Sequence, residues 1–238
     1  MHPWILGVGL TLAGLAGSAG AAQPAATPGP CPAAQAPVRE RFTAADCTDC
    51  WAAPDAADTT GAADAAGKAG PPGRTGRTRP ATWTLDWLLP RGDDAPMSAA
   101  ALPAGTERQQ RAAAALAQPS GAWPRGARLQ VESGPAWQGY FGLRLSLRTP
   151  RGLPPGATAW LALVEKLPAG SEGSAAPRWL VRNVAGPLPL DTLQPGRAFS
   201  HLTALRWPDG AQPERLRARG WIESADGRVL AMGADRCP

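Results

Sequence analysis

Two cysteines separated by two residues have the most reactive side chains in this sequence. Cys47 and Cys50 form a Cys-Thr-Asp-Cys motif, a few residues after a short strand candidate with Val38 and Phe42 on one face. A dithiol with this spacing at the start of a helix can exchange with other disulfides, because the helix dipole and the free backbone N–H groups stabilise the first thiolate. In a catalytic role, Cys47 attacks a substrate disulfide and Cys50 resolves the mixed disulfide.

Acidic neighbours work against that catalytic role. Asp46 and Asp49 flank the motif, and nearby negative charge raises the pKa of a thiol and disfavours the thiolate. Arg39 and Arg41 could offset this charge if their side chains turn toward the cysteines. An inert structural disulfide is therefore the alternative to a redox centre, and the sequence leaves both open.

Two further cysteines bring the total to four. Loop-closure entropy assigns about 2 kcal/mol to a Cys47–Cys50 bond and about 5 kcal/mol to a bond between Cys31 and Cys237, which would fasten the two ends of the chain. These two pairings are favoured, and the crossed pairings remain open. Tetrathiolate zinc sites usually have two CxxC motifs and this chain has one, so no metal or cofactor is expected.

The first 22 residues have the pattern of a signal peptide. A continuous apolar stretch runs from Trp4 to Ala16 and small residues follow as far as Ala22, a pattern typical of export and cleavage. The stretch is too short to span a bilayer comfortably, so no stable membrane span is expected after its removal. The predicted location is periplasmic or secreted, where disulfides persist; the alternatives are an uncleaved anchor and a mis-assigned start. Residues 23–35 form a Pro-rich tether.

The N-terminal half alternates strand and helix patterns. Strands are predicted at 36–43 and 81–89, and helices at 51–66 and at 107–118, where Thr106 can serve as the N-cap. Segments rich in Gly and Pro separate them. The order is β-α-β-α.

The C-terminal half has the pattern of an antiparallel sandwich. Leu143, Leu145 and Leu147 alternate with polar residues, which predicts a half-buried strand. Seven such strands in about a hundred residues favour an immunoglobulin-like β-sandwich. The predicted strands are 129–133, 140–149, 157–167, 179–185, 198–207, 215–223 and 228–234.

Charge and aromatic residues concentrate in the same half. Residues 121–238 contain 15 basic and 9 acidic side chains. Arg215, Arg217 and Arg219 lie on one face of a predicted strand, which could contact anionic lipid or nucleic acid but is more commonly a solvated face; nucleic acid is not an expected partner. His201 is the one histidine outside the signal segment and is expected to be an ordinary strand residue. Five tryptophans suggest either a ligand site or, more commonly, core aromatics; they are Trp137, Trp160, Trp179, Trp207 and Trp221.

The order of these motifs resembles a known family. The chain has a strand followed by CxxC, then a strand containing Asp86-Trp87, then a helix that begins at Glu107 and continues Arg-Gln-Gln-Arg. This order is similar to that of the exported thioredoxin-like proteins of the DUF1223 type. Residues 160–167 and 178–184 are similar to the β-sandwich of Omp28-related envelope proteins. The resemblance implies a truncated thioredoxin-like module, since only residues 119–126 separate the second helix from the sandwich.

The sequence thus predicts an α+β protein of two units. A degenerate thioredoxin-like β-α-β-α module at 36–120 is followed by an immunoglobulin-like antiparallel β-sandwich at 123–238. The predicted function is that of an exported envelope protein of the non-enzymatic binding or scaffold type, with other envelope proteins as candidate partners. The alternative is a periplasmic thiol-disulfide oxidoreductase that uses Cys47 and Cys50, so enzymatic activity is left open. The oligomeric state is not predicted.

Overall fold

The computed structural model describes residues 38–54, 83–115 and 122–236. The N-terminal part contains β1 (Val38–Ala44), α1 (Thr48–Ala52), β2 (Trp83–Leu89) and α2 (Pro103–Ala115). Neither helix in these residues is long and apolar enough to cross a membrane. The strands that follow are β3 (Arg128–Trp137), β4 (Tyr140–Arg148), β5 (Thr158–Leu167), β6 (Arg178–Pro189), β7 (Ala198–Arg206), β8 (Leu216–Glu223) and β9 (Val229–Ala234).

All seven strands predicted for the C-terminal half are present, and two are longer than predicted. Strand β3 continues to Trp137 through a register shift between Ser133 and Ala136, where Gly134 and Pro135 interrupt the alternation of polar and apolar residues. Strand β6 continues to Pro189. Gly and Pro in these two strands mark irregular pairing, although the sequence pattern suggested that the strands end there.

Both predicted helices begin earlier than expected. Helix α2 begins at Pro103, a residue favoured in the first turn of a helix, so the prediction that Thr106 is the N-cap was wrong. Helix α1 has left the helical conformation at Ala53, because the residue before a proline, here Pro54, is sterically excluded from it. The rest of the helix predicted for 51–66 lies outside the described residues.

The strands form two packed sheets. The large sheet has the order β1-β2-β6-β5-β8-β9 and the small sheet has the order β3-β4-β7. Strands β1 and β2 are parallel over seven residue pairs, and β2 meets β6 in parallel where Asp86 faces Leu180. All other pairs are antiparallel. The core between the sheets includes Leu143, Leu145 and Leu161, each fully buried.

The two N-terminal strands have no separate sheet within the described residues. Strands β1 and β2 extend the same sheet that contains β5, β6, β8 and β9. The predicted boundary near residues 120–123 falls between α2 and β3, while sheet pairing joins the parts on either side of it. The result is a mainly β structure of two sheets, with the β1-α1-β2-α2 order that the sequence predicted.

Tryptophan rings cover the face of the large sheet that points away from the small sheet. Trp87, Trp160 and Trp221 are buried there together with Trp83. The rings of Trp160 and Trp221 stack with centroids 5.8 Å apart, and Trp87 meets Trp221 edge-on. These bulky side chains form a second core.

A buried ion-pair cluster fixes α2 to this face. The Arg108 Nε atom donates to Glu40 Oε1 at 2.8 Å and its Nη2 atom donates to Glu40 Oε2 at 2.6 Å. The Arg108 Nη1 atom donates to Glu223 in β8, and the Arg111 Nε atom donates to Glu223 Oε1 at 2.9 Å. We call Glu40, Arg108, Arg111 and Glu223 the Arg108 cluster. It joins β1, α2 and β8.

Helix α2 is held mainly by the charged contacts of this cluster. Burial alone would lower the pKa of Arg108. The hydrogen bonds and negative charges of Glu40 and Glu223 outweigh this effect, so the pKa of Arg108 is raised above its usual value. Only Gly105 and Arg108 are buried in α2, so apolar packing contributes little. The helix also lies against the predicted Asp226-Gly227 turn: a Cβ on Gly227, whose φ is +84°, would lie 2.7 Å from the Arg111 carbonyl oxygen.

Replacing Arg108 tests the importance of this cluster. We expect Arg108→Met to lower the free energy of unfolding by about 3 to 5 kcal/mol, because it removes the charged partner of Glu40 and one of the two arginines that bind the buried Glu223. Urea unfolding followed by tryptophan fluorescence measures the loss. The control is Gln109→Met, an exposed position on the same helix, where we expect a change within about 0.5 kcal/mol. Equal urea midpoints for the two variants would show that the cluster does not stabilise the fold.

Candidate functional sites

The cysteine motif lies where the sequence predicts it, between a strand and a helix. After β1 ends, Cys47 N donates to the Ala44 carbonyl at 3.0 Å, and Trp51 N donates to the Cys47 carbonyl at 3.1 Å. Cys47 and Cys50 are joined by a disulfide with a Cα separation of 5.3 Å. The predicted Cys47–Cys50 pairing is thus present, whereas Cys31 and Cys237 lie outside the described residues.

The surroundings of this disulfide do little to stabilise a thiolate. Cys50 is exposed and Cys47 is half-buried, and the neighbouring Asp46 and Asp49 are both exposed. Arg41, which could have offset the acidic charge, donates from Nε to Asp86 Oδ1 at 2.6 Å. Helix α1 has five residues, so few peptide dipoles add up at its N-terminus.

Helix α1 is anchored by contacts at its C-terminal end. The Trp51 side chain is buried and its Nε1 atom donates to the Glu172 carbonyl at 2.8 Å. The Arg178 guanidinium lies 5.0 Å from the Trp51 ring centroid, and its Nη2 atom donates to the carbonyls of Trp51 and Ala53, each at 2.7 Å. These contacts satisfy helix-end carbonyls, so the disulfide belongs to a turn that other groups already hold.

Asp86, part of the motif in β2 that the sequence resemblance used, has a structural position. Its carboxylate is 1% exposed. One oxygen accepts from Arg41 Nε, and the other accepts from the backbone N–H of Trp179 at 2.7 Å. Arg178 Nη1 lies 3.6 Å from the first oxygen. Asp86 therefore joins β1, β2 and β6, and no substrate could reach it without opening the sheet.

A second candidate site is the outer face of the small sheet. Its inward-pointing leucines are buried, while large apolar side chains on the opposite face are exposed: Trp137 by 71%, Tyr140 by 50% and Leu202 by 65%. Trp137 and Tyr140 face each other across the β3–β4 turn. The turn residues Gln138 and Gly139 have φ values of 48° and 82°, as a type I′ hairpin requires.

Positive charge surrounds these exposed side chains. The outward-pointing charged residues of the small sheet are four arginines and one glutamate, identified from strand register and burial: Arg128, Glu132, Arg144, Arg148 and Arg206. Glu132 lies 3.9 Å from Arg144, and both are about half exposed. Arg128 stands directly opposite Arg148, and Arg206 stands opposite Tyr140. Like charges in facing positions destabilise a sheet, so this arrangement suits an anionic partner.

The tryptophans divide between core and surface. Trp160 and Trp221 are buried, as the core interpretation predicts, and Trp179 and Trp207 are half-buried. Trp137 is exposed, and the sequence analysis did not distinguish it from the other four tryptophans. The available signal was the following Gly139, because glycine favours the positive φ of a two-residue hairpin turn and a residue that flanks such a turn lies at the tip of the sheet.

Arg219 departs from the solvated face that the sequence predicted. It is 2% exposed, and its guanidinium lies between Trp83 and Trp179, 4.2 Å and 4.5 Å from their ring centroids. Burial lowers the pKa of Arg219 to about 10. Arg215 and Arg217 remain partly exposed. The prediction that all three arginines lie on one strand was wrong for Arg215, which ends a 3₁₀ turn before β8 begins at Leu216. Arg217 and Arg219 share a face of β8, but the alternating pattern could not show that tryptophans cover Arg219.

Among the described residues, His201 and the carboxylates form no metal-binding group. His201 is half-buried in β7 opposite Leu145, as expected of an ordinary strand residue. Within the described residues no group of three or more His, Cys, Asp or Glu side chains is placed to hold a metal ion. Two carboxylates that share one partner, Glu40 and Glu223, are both engaged by Arg108. Sequence analysis missed this pair, since residues so far apart in the chain have no shared local pattern.

Removing the disulfide tests whether it supports the fold. We expect Cys47→Ser/Cys50→Ser to lower the free energy of unfolding by no more than about 2 kcal/mol, because the bond closes a very short loop. Trp51→Ala, the comparison variant, removes the buried anchor of α1 and should cost about 3 to 5 kcal/mol. Urea unfolding of both variants gives the ranking. A larger loss for the cysteine variant than for Trp51→Ala would make the disulfide the principal stabilising contact of this region.

Comparison with models of known protein families gives no match, and comparison with curated protein sequences gives none. The resemblance to DUF1223-type and Omp28-related proteins therefore remains a prediction from the order of motifs. The described residues offer two surfaces from which function can be argued: an exposed disulfide with acidic neighbours, and an arginine-rich sheet face with exposed aromatic rings.

Proposed function

We propose that this protein is a non-enzymatic binding protein of the cell envelope, and that it binds through the outer face of the small sheet. The observation behind this proposal is the exposed pair Trp137 and Tyr140 next to Arg206. Trp, Tyr and Arg are the residue types that contribute most binding energy at interfaces. The disulfide has a structural role in this proposal.

The exposed apolar area is large enough to matter for binding. Covering a tryptophan that is 71% exposed would contribute about 2 to 4 kcal/mol. Tyr140 and Leu202 lie on the same face and would add to this. Exposed apolar side chains that share one face with charged ones are typical of interaction surfaces.

The strand order supports a finer description of the fold. The small sheet β3-β4-β7 packs against the part of the large sheet formed by β6-β5-β8-β9, a three-plus-four arrangement similar to immunoglobulin-like sandwiches. The parallel β1-α1-β2 unit, with CxxC directly after β1, supports a thioredoxin-like origin for the N-terminal part. We take this part as a scaffold fused to the sandwich sheet, and fold similarity alone assigns it no activity.

Export is part of the same proposal. The Cys47–Cys50 disulfide suits an oxidising compartment, because thiols are kept reduced in the cytosol. The apolar stretch in residues 1–22 would direct the chain there, and this segment lies outside the described residues. Other envelope components are then the candidate partners.

Photocrosslinking tests the binding face. We expect a photoreactive amino acid at Gln138, between Trp137 and Tyr140, to give a discrete crosslinked product in cells that produce the full chain. The control position is Gln109, an exposed residue of α2 on another surface. The product should disappear in Trp137→Ala/Tyr140→Ala. Equal yields at the two positions, or none at Gln138, would reject this face as the binding surface.

The exposed disulfide favours a second candidate function, that of a thiol-disulfide oxidoreductase. The reduced Cys47 thiolate would attack a substrate disulfide and release one substrate thiol. Cys50 would then displace the second substrate thiol, which re-forms the Cys47–Cys50 bond as the substrate gains two electrons. Such a reaction requires reduction potentials that allow the exchange, and Asp46 and Asp49 oppose formation of the thiolate.

Insulin reduction distinguishes the two functions. We expect the wild-type protein, with dithiothreitol as electron donor, to reduce insulin no faster than Cys47→Ser/Cys50→Ser, because the acidic neighbours keep the thiolate fraction low. The rate of insulin precipitation measures this reaction. Turnover by the wild type far above that of the double variant would assign the protein to the oxidoreductases.

A further inference from the structure

We propose that the partner of the outer face is the surface of an anionic lipid bilayer, to which the protein binds peripherally through its exposed aromatic side chains and arginines. This inference rests on the proposed binding function of the small sheet and names the chemistry of its partner.

The positive charges are spread along the sheet. Arg128 and Arg148 face each other near one end, and Arg206 lies opposite Tyr140 near the other. Strand β4 has nine residues, and at about 3.4 Å per residue these two ends lie about 27 Å apart. A small anion is held by donors that converge on one point. Charges distributed over a sheet surface of this length match an extended anionic surface.

Bound anions would reduce the repulsion between arginines on this face. Arg128 and Arg148 occupy directly opposed positions, and neither has an ion pair within the described residues. Their mutual repulsion weakens the sheet in the absence of an anion. Phosphate groups would remove that repulsion, because guanidinium groups bind phosphate oxygens with paired hydrogen bonds. The chain's net charge of +5 adds a general attraction to anionic surfaces.

The exposed aromatic residues are those that favour the boundary between lipid and water. Trp137 and Tyr140 have apolar rings with one polar group each, and residues of this kind concentrate at membrane interfaces. Leu202 adds an exposed aliphatic side chain opposite Arg144. These side chains share one sheet face with the arginines, so a planar partner can contact all of them at once. Peripheral binding of this kind combines apolar insertion with electrostatic attraction.

Vesicle cosedimentation tests the inference with the purified full chain. We expect binding to vesicles of phosphatidylcholine that contain phosphatidylglycerol, and little binding to phosphatidylcholine alone. Binding should weaken as salt is raised, because salt screens exposed charges. Arg144→Gln/Arg206→Gln should bind about 25-fold more weakly, since each arginine near an anionic membrane contributes roughly fivefold. Trp137→Ala/Tyr140→Ala should lose at least about tenfold.

A matched control separates the face from total charge. Arg91→Gln/Arg236→Gln removes two exposed arginines that are not on the small sheet, and it should retain binding within about threefold. Circular dichroism and the urea midpoint of every variant must equal those of the wild type. The inference is overturned if the wild type shows no dependence on phosphatidylglycerol, or if the control variant loses as much binding as the face variants.

Crosslinking and vesicle binding together distinguish failure of the lipid proposal from failure of the proposed binding function. If Gln138 crosslinks to a protein while the vesicles are not bound, the binding function stands and the lipid assignment falls. If the wild-type protein does not bind vesicles but binds a duplex oligonucleotide through the same arginines, nucleic acid replaces lipid as the partner. Lipid attached to the Gln138 crosslinker, together with phosphatidylglycerol-dependent binding, supports both proposals.

Discussion

The buried guanidinium of Arg108 links β1, α2 and β8, which lie far apart in the chain. It is 1% exposed and binds Glu40 in β1 and Glu223 in β8 from its position in α2. A buried charge that loses its partners destabilises a protein strongly, so each of the three elements depends on the other two. Asp86 has a similar role on the other side of the N-terminal strands, where it binds Arg41 and the Trp179 backbone.

This arrangement changes the meaning of the CxxC motif. The disulfide follows β1, the edge strand of the large sheet. Trp51 and Arg178 already fix the turn that contains it. The N-terminal strands therefore act as an extension of the large sheet, and the outer face of the small sheet exposes Trp137, Tyr140 and Leu202 among arginines.

Local patterns in the sequence predicted the elements but not how they assemble. The alternation at Leu143, Leu145 and Leu147 predicted β4, because a half-buried strand needs one apolar face. Pairing of β2 with β6 had no such signal: Asp86 meets the Trp179 backbone across 93 residues, and Arg108 lies 115 residues from Glu223. Contacts of this kind depend on the three-dimensional path of the chain. The exposure of Trp137 could not be predicted for a different reason: composition does not distinguish a surface tryptophan from a core one.

Amide hydrogen exchange measures most directly whether the N-terminal strands and the sandwich form one cooperative unit. The amides to compare are those of Leu85 and Trp87 in β2 and those of Leu161 and Leu163 in β5, all buried in the large sheet. If the buried ion pairs unite the two parts, these amides exchange only through global unfolding and give the same opening free energy. An opening free energy for β2 that is several kcal/mol below that of β5 would instead show an N-terminal module that unfolds by itself, and would contradict the single-unit account.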